Sequence, residues 1–393
     1  MKPGWTTVAL GEVLASHRAG YWGRSAGSDE SDVLAIRNGD IREGAVRWGE
    51  LPTRSMSRAQ VEKARVRPGD SLITTSGDVG KVAHVLHEPR GVVCVTNFVR
   101  VLRPNERVLD PSYLYHYLST SFVKSAVVQN SRGSTMQNLS MKNFLSTTNI
   151  PLPPIDEQRH IAAILDASDG AIRRRDEQLV ALDRLIFSRI PVGQDGAIPL
   201  GAALKTIESG RSPNCEARPA MADEWGVLKL GAVSYGSYRA DENKALLEAG
   251  GGGARYEVNA GDVLMTRKNT RDLVGAVAYV VTTPARRLLP DLIYRLTLDE
   301  SQILPQYFQA LMMTPLMRGR VGALASGSAA SMVNLSHAKI KSLELPLASM
   351  GQQREYVAFA DKVGKMRQLV ECARVADREL LTSLQSRAFR GEL

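Results

Sequence analysis

The chain contains one long internal repeat, with a period of about 195 residues. Five short segments of the first half recur in the same order in the second half, at offsets between 190 and 196 residues. Solenoid repeats are much shorter, at about 20–50 residues, so this period predicts two copies of one large module. The alternative is coincidence of common Gly-Asp and Leu-Pro pairs, and the shared order of five pairs argues against it. The paired segments are residues 8–11 and 198–201, 68–74 and 260–266, 138–140 and 334–336, 150–153 and 345–348, and 157–159 and 352–354.

Each copy begins with a strand-rich stretch. Short runs rich in Val, Ile and Thr stand between Gly, Pro and Asp residues, which is the pattern of β-strands separated by turns. A proline then begins a short helix in each copy, Pro111 in the first and Pro305 in the second, because proline suits a first helical turn. The predicted strands are 33–36, 71–75, 79–85 and 92–102 in the first copy, and 227–230, 262–266, 276–281 and 291–298 in the second.

Each copy ends in a long predicted helix. The first runs over about 156–190, without proline, and begins with acidic residues, which the positive end of the helix dipole favours. The second begins after Ser349, where Gln352 completes the pattern of a capping box. It continues to about Phe389, and Gly391 then provides a stop signal.

Apolar residues on both helices follow the alternating three-four spacing of a coiled coil. Two such helices in one chain can bury their stripes against each other, and about 35 residues make a rod of roughly 50 Å. The alternative is that each helix packs on its own module. The predicted seam consists of Ile161, Leu165, Ile172, Leu179, Leu182 and Ile186, with Ser168 and Arg175 between them, and of Phe359, Val363, Met366, Val370, Ala373, Leu380 and Leu384, with Asp377 interrupting.

The charge of the chain lies mainly on its strand-rich modules. There are 50 Lys and Arg against 41 Asp and Glu, for a net charge of +9. Residues 156–190 carry −1 and residues 350–393 carry +2, which leaves +8 for the rest of the chain. Basic modules favour polyanionic partners such as DNA, RNA or an acidic membrane surface. Three widely separated cysteines indicate neither a disulfide framework nor a zinc cluster, and the absence of a leader or an apolar span predicts a cytoplasmic protein.

If the basic modules bind DNA, two polar, glycine-containing loops in each module are the segments predicted to contact it. Glycine lets the backbone approach a phosphate closely, and Arg, Gln and Asn can form paired hydrogen bonds to base edges. The alternative for each residue is an ordinary solvated turn. Four aromatic residues lie early in the modules: Tyr21, Trp22, Tyr235 and Tyr238. For these residues the alternative to DNA contact is packing in the core or against a partner. The predicted DNA-binding residues are Thr75, Ser76, Arg132, Ser134, Thr135, Gln137 and Asn138 in the first module, and Arg267, Lys268, Asn269, Thr270, Ser328 and Asn334 in the second, with Arg132, Gln137, Arg267 and Lys268 foremost.

The sequence offers little that suits catalysis. Residues 110–113, Asp-Pro-Ser-Tyr, faintly resemble the Asn/Asp-Pro-Pro-aromatic motif of adenine methyltransferases, but no glycine-rich strand–turn–helix precedes them. No phosphate-binding loop of the Gly-x-x-x-x-Gly-Lys-Ser/Thr type is present. The six histidines show no metal-ligand spacing with the cysteines. We therefore expect no catalytic residues, no metal site and no cofactor in this chain.

Residues 150–161, Ile-Pro-Leu-Pro-Pro-Ile-Asp-Glu-Gln-Arg-His-Ile, lead into the first long helix. With this segment as its most specific match, the whole chain resembles the specificity subunits of Type I restriction-modification systems. The closing residues 385–393, Gln-Ser-Arg-Ala-Phe-Arg-Gly-Glu-Leu, and residues 69–77 also look like the family's segments. The second junction, residues 347–353, departs from the pattern because it lacks the usual prolines and acidic residue.

The resemblance implies an α+β fold with two similar strand-rich target recognition domains. Two long helices that pair antiparallel as a coiled coil would join them about a pseudo-two-fold axis. The implied limits are 1–153 for the first recognition domain, 154–192 for the first helix, 193–348 for the second recognition domain and 349–393 for the second helix.

The resemblance also implies a function. Such a subunit reads a bipartite target in double-stranded DNA, with a fixed spacer between the two halves, which agrees with a rigid rod between two readers. It binds two methyltransferase subunits, and restriction subunits join in full complexes. Methyl transfer, with S-adenosylmethionine as cofactor, and cleavage belong to those partners.

Two other classes of function stay open from the residues alone. The chain could be a self-sufficient DNA modification enzyme fragment, which methyl transfer by the chain alone would reveal. It could also be a coiled-coil adaptor that binds only proteins, which an equal response to all DNA sequences would reveal.

Overall fold

A computed structural model describes residues 4–133, 137–193, 196–247, 253–327 and 332–393. The chain divides into two compact units, the first formed by Met1–Glu177 with Val370–Leu393 and the second by Gln178–Leu369. Two long helices, Ile155–Ser188 and Met350–Ala388, contribute to both units. Each unit therefore holds one strand-rich module and a part of each helix. The domain limits at 153, 192 and 348 stay predictions.

Besides the long helices, the described part of the first unit contains short strands and four short α-helices. The helices are Arg58–Ala64, Pro111–Leu118, Ser121–Gln129 and Met141–Thr147. The strands are Thr6–Ala9, Leu14–Ala19, Ser31–Ile36, Ile41–Arg42, Ala45–Val46, Thr53–Met56, Ser71–Thr74, Val82–His84, Val93–Val95, Val99–Pro104, Ser131–Arg132, Asn138–Leu139 and Asn149–Leu152.

The described part of the second unit is built in the same way. Its short helices are Gly253–Tyr256, Pro305–Met312, Pro315–Leu324 and His337–Lys341. Its strands are Ile198–Pro199, Leu204–Ser209, Gly226–Leu228, Asn243–Ala245, Val263–Thr266, Lys268–Asn269, Val277–Tyr279, Arg287–Leu288, Ile293–Leu298, Val333–Asn334 and Glu344–Leu345.

Both units contain a four-stranded antiparallel sheet with the same strand order. In the first unit the order is Leu14–Ala19, Val99–Pro104, Ser71–Thr74 and Val82–His84. In the second it is Leu204–Ser209, Ile293–Leu298, Val263–Thr266 and Val277–Tyr279. Because the same topology occurs twice, the sequence repeat is a repeat of structure, and the predicted α+β fold is confirmed.

A smaller three-stranded sheet accompanies each large sheet. Its middle strand, Ser31–Ile36 in the first unit, pairs antiparallel with Thr53–Met56 and parallel with Val93–Val95. In the second unit Gly226–Leu228 pairs antiparallel with Asn243–Ala245 and parallel with Arg287–Leu288. The two sheets of each unit thus combine strands from distant parts of the module.

The predicted single strand over 92–102 is wrong, because this segment forms two strands in different sheets. Val93–Val95 belongs to the small sheet and Val99–Pro104 to the large one. Between them the buried Thr96 turns the chain: its hydroxyl donates to the Ile36 carbonyl at 3.0 Å, and the Val99 amide donates to the Thr96 carbonyl at 3.0 Å. A stretch rich in β-branched residues can therefore cross from one sheet to another without a glycine or a proline.

A fully buried glutamine fastens the start of each long helix to its module. The Gln158 amide group donates to the carbonyls of Val108 and Pro153, both at 2.9 Å, and its oxygen accepts from the Asp110 amide at 2.9 Å. These three bonds satisfy backbone groups on both sides of the junction, as a buried polar side chain requires.

Gln353 makes the same three contacts in the second unit. Its amide group donates to the carbonyls of Gln302 at 3.1 Å and Ala348 at 2.9 Å, and its oxygen accepts from the Leu304 amide at 2.9 Å. The predicted capping box beside it is confirmed, since the Ser349 amide donates to Oε1 of Gln352 at 3.0 Å and the Gln352 amide donates to Oγ of Ser349 at 3.3 Å.

The long helices pair antiparallel within the first unit. Asp176 Oδ1 lies 2.8 Å from Arg374 Nη1, while Leu165, earlier on the first helix, shares a core cluster with Leu384 and Ala388, later on the second. As residue numbers rise on one helix they fall on the other, which is the antiparallel arrangement.

The same arrangement holds within the second unit. Asp183 Oδ1 lies 3.0 Å from Arg367 Nε. Further along the first helix, the Arg189 guanidinium lies 4.9 Å from the centre of the Phe359 ring. The helices therefore pair in both units.

The predicted seam is wrong at two positions, because the side chains of Met366 and Leu380 are 55% and 52% exposed. The second helix instead directs Arg374 and Leu381 toward the first. Arg374 finds a carboxylate on the facing helix, and an ion pair of this kind cannot be recognised from apolar spacing alone. On the first helix Ile161, Leu165, Ile172 and Leu179 are buried as predicted.

A cluster of titratable groups lies in the first unit where the helix Pro111–Leu118 packs on the first long helix. The buried His116 has Nε2 2.8 Å from Asp166 Oδ1. The half-buried His84 stacks on the Tyr115 ring, with 5.3 Å between ring centres. Burial lowers the pKa of His84 below its ordinary value, although the carboxylate of Asp166 opposes that shift.

Replacing either buried glutamine should destabilise the unit that holds it. In Gln158→Ala and Gln353→Ala, two carbonyls and one amide lose their partner inside the protein, and each such group costs about 1–3 kcal/mol. We expect each variant to lower the free energy of unfolding by about 3 kcal/mol or more, measured by urea unfolding of the full chain.

Gln368→Ala is the matched control, because Gln368 is exposed on the second long helix. It should unfold at the wild-type urea concentration. Stability of Gln158→Ala and Gln353→Ala equal to that of this control would contradict the role of the two buried side chains.

Acidification should weaken the first unit through His84. Its pKa is lowered in the folded chain, so as the pH falls through about 6.5 the unfolded chain takes up a proton that the folded chain does not, and stability falls. In His84→Asn the decrease in melting temperature between pH 7.5 and 5.5 should be smaller than in the wild type. His87→Asn, which changes an exposed histidine nearby, should keep the wild-type pH dependence. An unchanged pH dependence in His84→Asn would rule out this coupling.

Candidate nucleic-acid interface

The two predicted loops of the first module lie against each other. The Thr75 carbonyl accepts from the Leu139 amide at 2.9 Å, and the Gly77 amide donates to the Gln137 carbonyl at 3.1 Å. Ser76 Oγ donates to Asn138 Oδ1 at 2.5 Å. The segments 75–78 and 137–139 thus form one continuous surface, although 62 residues separate Ser76 from Asn138 in sequence.

Arg132 extends this surface. It pairs with Asn138 in the short hairpin of Ser131–Arg132 and Asn138–Leu139, and its side chain is exposed. Gln137 and Asn138 are exposed as well. Exposed guanidinium and amide groups on one face are the groups that bind phosphates and base edges.

Asn38, which sequence reasoning missed, holds the first loop from another element. Its amide nitrogen donates to the Ser76 carbonyl at 2.6 Å and to the Asp78 carbonyl at 3.1 Å, and its oxygen accepts from Lys81 Nζ at 3.4 Å. Asn38 lies two residues after the strand Ser31–Ile36, at the start of a polar Asn-Gly-Asp turn, and a polar residue near such a strand end is the signal that could have found it.

Asp40 fixes the turn that carries Asn38. Burial by itself would raise the pKa of the Asp40 carboxyl, but hydrogen bonds from the side chain and backbone of Arg37 outweigh it and hold the pKa below its ordinary value. The ionised Asp40 therefore keeps Arg37 paired at the edge of this surface.

The second module joins its two loops at the corresponding place. Lys268 and Asn334 are partners in a short antiparallel pair of strands. The Arg267 carbonyl accepts from the Leu335 amide at 3.0 Å, as the Thr75 carbonyl accepts from Leu139 in the first module. Ser326 also pairs with Asn334, through two backbone hydrogen bonds in an antiparallel bridge.

Arg267 lies partly beneath this surface. Its guanidinium carbon is 5.5 Å from the centre of the buried Tyr294 ring, and its Nη1 donates to the Asp291 carbonyl at 3.5 Å. Burial raises the pKa of Tyr294, although the charge of Arg267 acts in the opposite direction. Part of the Arg267 side chain therefore packs inside the module.

Two of the predicted contact residues have buried side chains. Thr75 Oγ1 donates to the Phe98 carbonyl at 3.3 Å, and Asn269 Nδ2 donates to Ser234 Oγ at 2.9 Å. Their hydrogen bonds fasten the loops to neighbouring turns, so these side chains do not lie on the loop surface. Thr270, by contrast, is exposed, and its carbonyl accepts from the amides of Leu273 and Val274.

Three predicted DNA-binding residues, Ser134, Thr135 and Ser328, lie outside the described residues. DNA contact by the other ten stays a prediction. The structure brings each module's described candidates together into one surface, and it leaves Arg267, Thr75 and Asn269 partly or wholly below that surface.

Residues 110–113, which faintly resemble a methyltransferase motif, have structural roles. Asp110 Oδ1 accepts from the Tyr113 amide at 3.0 Å and so caps the helix that Pro111 begins. The buried Tyr113 donates its hydroxyl to the Pro151 carbonyl at 2.9 Å. These contacts give Asp110 and Tyr113 structural roles without a substrate.

Over the described ranges, no group of three or more His, Cys, Asp or Glu side chains could hold a metal ion. The helices in those ranges likewise include none with the length and apolar character needed to cross a membrane.

Comparison with known proteins connects this architecture to one family. The model of the Type I restriction modification DNA specificity domain matches residues 3–181. The EcoEI specificity subunit of Escherichia coli is 29% identical over 178 residues, which are 45% of this chain and 30% of that protein. The match therefore spans less than a third of the EcoEI subunit.

A longer match extends into the second module. The EcoKI specificity subunit of Escherichia coli strain K12 is 25% identical over 361 residues, covering 84% of this chain and 76% of that protein. In fold, the chain is similar to one from a solved structure on complex assembly and conformational transition of the type I R-M system, with a TM-score of 0.57, 17% identity and coverage of 100% and 99%. With two copies of one module and these sequence matches, the chain is similar to the specificity subunits of Type I restriction-modification systems.

Proposed function

We propose that this chain reads a bipartite sequence in double-stranded DNA, one half with each module. The observation that carries the proposal is the convergence of two polar loops at the same place on two copies of one scaffold. Loops held by a rigid sheet are the usual carriers of binding residues. Different side chains on the same scaffold would allow the two modules to read different half-sites.

The long helices would set the number of unread base pairs between the half-sites, because both units share them. In DNA-binding dimers the protein likewise determines half-site spacing. The net charge of +9 supports binding through phosphate neutralisation, while base-edge contacts supply the choice of sequence.

Two methyltransferase subunits are the proposed protein partners, and restriction subunits would join them in the full complex. The methyltransferase partners would hold S-adenosylmethionine and perform the methyl transfer. The structural use of Asp110 and Tyr113 supports a non-catalytic role for this chain over a self-sufficient modification enzyme.

Single cations on the two loop surfaces should act on one half-site each. In the complex with the methyltransferase subunits, Arg132→Ala should weaken DNA binding by about tenfold through the first half-site, and Lys268→Ala similarly through the second, as expected for loss of one polar contact. Competition between duplexes with one altered half-site measures which half each variant no longer recognises.

The control for these variants is Arg159→Ala, which removes an exposed arginine from the first long helix and should leave both half-sites unaffected. Equal weakening of both half-sites by Arg132→Ala or Lys268→Ala would contradict modular reading.

The purified chain alone should not methylate DNA. Incubated with labelled S-adenosylmethionine and genomic DNA, it should give background incorporation, and addition of the methyltransferase subunits should produce methylation at a bipartite motif. Incorporation by the chain alone would favour the enzyme-fragment alternative. Methylation independent of sequence in the assembled complex would favour the protein-only adaptor.

A further inference from the structure

An exposed tryptophan lies directly beside the first recognition surface. Trp22 is 48% exposed, and its indole lies 6.3 Å from the Phe98 ring, tilted by 57°. The Phe98 carbonyl in turn accepts from the Thr75 amide at 2.8 Å. The Trp22–Phe98 pair is therefore continuous with the loop that carries Thr75 and Ser76.

The backbone holds this indole in place on both sides. The Tyr21 amide donates to the Val95 carbonyl at 3.1 Å, and the Arg24 amide donates to the Ser55 carbonyl at 2.9 Å. Gly23 between them has a φ of +72°, and a Cβ there would come within 2.9 Å of Arg54 Cβ. An ordered turn thus presents a large apolar side chain to solvent.

Arg54 adds a positive charge to the same group. Its guanidinium carbon lies 5.2 Å from the centre of the Trp22 ring, within the range of a cation–π interaction. An aromatic ring with a neighbouring guanidinium can contact both an apolar base group and a phosphate.

The second module has two equivalent backbone hydrogen bonds at this place but different side chains. The Arg211 amide donates to the Leu289 carbonyl at 3.1 Å, as Tyr21 does to Val95, and the Arg267 amide donates to the Leu292 carbonyl at 2.8 Å, as Thr75 does to Phe98. Ser212 therefore stands where the first module has Trp22.

Ser212 is polar in its contacts as well, because its hydroxyl donates to Asp291 Oδ1. If Trp22 only packed within the scaffold that both modules share, an apolar residue would be expected at the equivalent position of the second module. A change from an exposed indole to a hydroxyl beside the recognition loop instead fits a difference in what the two modules read.

Resting on the proposed function, we infer that Trp22, supported by Phe98 and Arg54, is a specificity-determining residue that contacts a thymine C5-methyl group in the first half-site. Among the base-edge groups of the major groove this methyl is the apolar one. The second module, with Ser212 and Asp291 at the same place, would not make this contact.

The test uses the full chain assembled with its methyltransferase subunits, after methylation mapping has defined the target. Each thymine of the first half-site and its flanks is replaced in turn by uracil, which removes only the methyl group. We expect one such replacement to weaken wild-type binding about fivefold, and Trp22→Ala to bind the thymine duplex about tenfold more weakly. Trp22→Ala should no longer distinguish thymine from uracil there, and Trp22→Phe should do so in part.

Phe122→Ala is the matched control, since Phe122 is 59% exposed on a helix of the same unit. It should keep wild-type affinity and wild-type discrimination at every position. Replacements in the second half-site should affect the wild type and Trp22→Ala equally.

Three results would overturn the inference and leave the proposed function intact. In the first, the complex is sequence-specific but no uracil replacement near the first half-site changes its binding. In the second, the wild type and Trp22→Ala discriminate thymine from uracil equally. In the third, Trp22→Ala weakens subunit assembly, and the complex that still forms recognises the wild-type target. A wild-type complex without any sequence preference would instead overturn the proposed function itself.

Discussion

The junction between each strand-rich module and its long helix depends on one buried glutamine. Gln158 and Gln353 each satisfy two carbonyls and one amide that would otherwise be unpaired inside the protein. Because the bonds reach the segment before the short helix and the segment before the long helix, they fix the direction in which the long helix leaves the module. The polar loops of the module keep their place relative to that helix only while this junction holds.

The loops themselves are held mainly by backbone hydrogen bonds, which any sequence can make. Thr75 and Arg267 use equivalent carbonyls to bind equivalent amides of the neighbouring strand. This arrangement leaves side chains at positions such as Arg132 and Lys268 free to differ without loss of the scaffold. One fold can in this way present two different sets of side chains.

Sequence patterns predicted the elements whose cause is local. The long helices, the capping box at Ser349 and the proline-initiated helices follow from spacing and caps, and the structure confirms them. The division of 92–102 between two sheets, the inward position of Arg374 and the support of the first loop by Asn38 depend on partners far away in the chain. Nothing in the local pattern of those residues identifies their partners.

The first unit is assembled from two stretches that are far apart in the order of synthesis. Its last stretch, Val370–Leu393, brings Phe389 to within 5.0 Å of the Tyr113 ring and 5.2 Å of the Tyr117 ring, measured between ring centres. A ribosome that has produced the first 177 residues has therefore made a module whose aromatic cluster still lacks a ring. This unit reaches its native packing only after the whole second module has emerged, so the second unit is complete in sequence before the first.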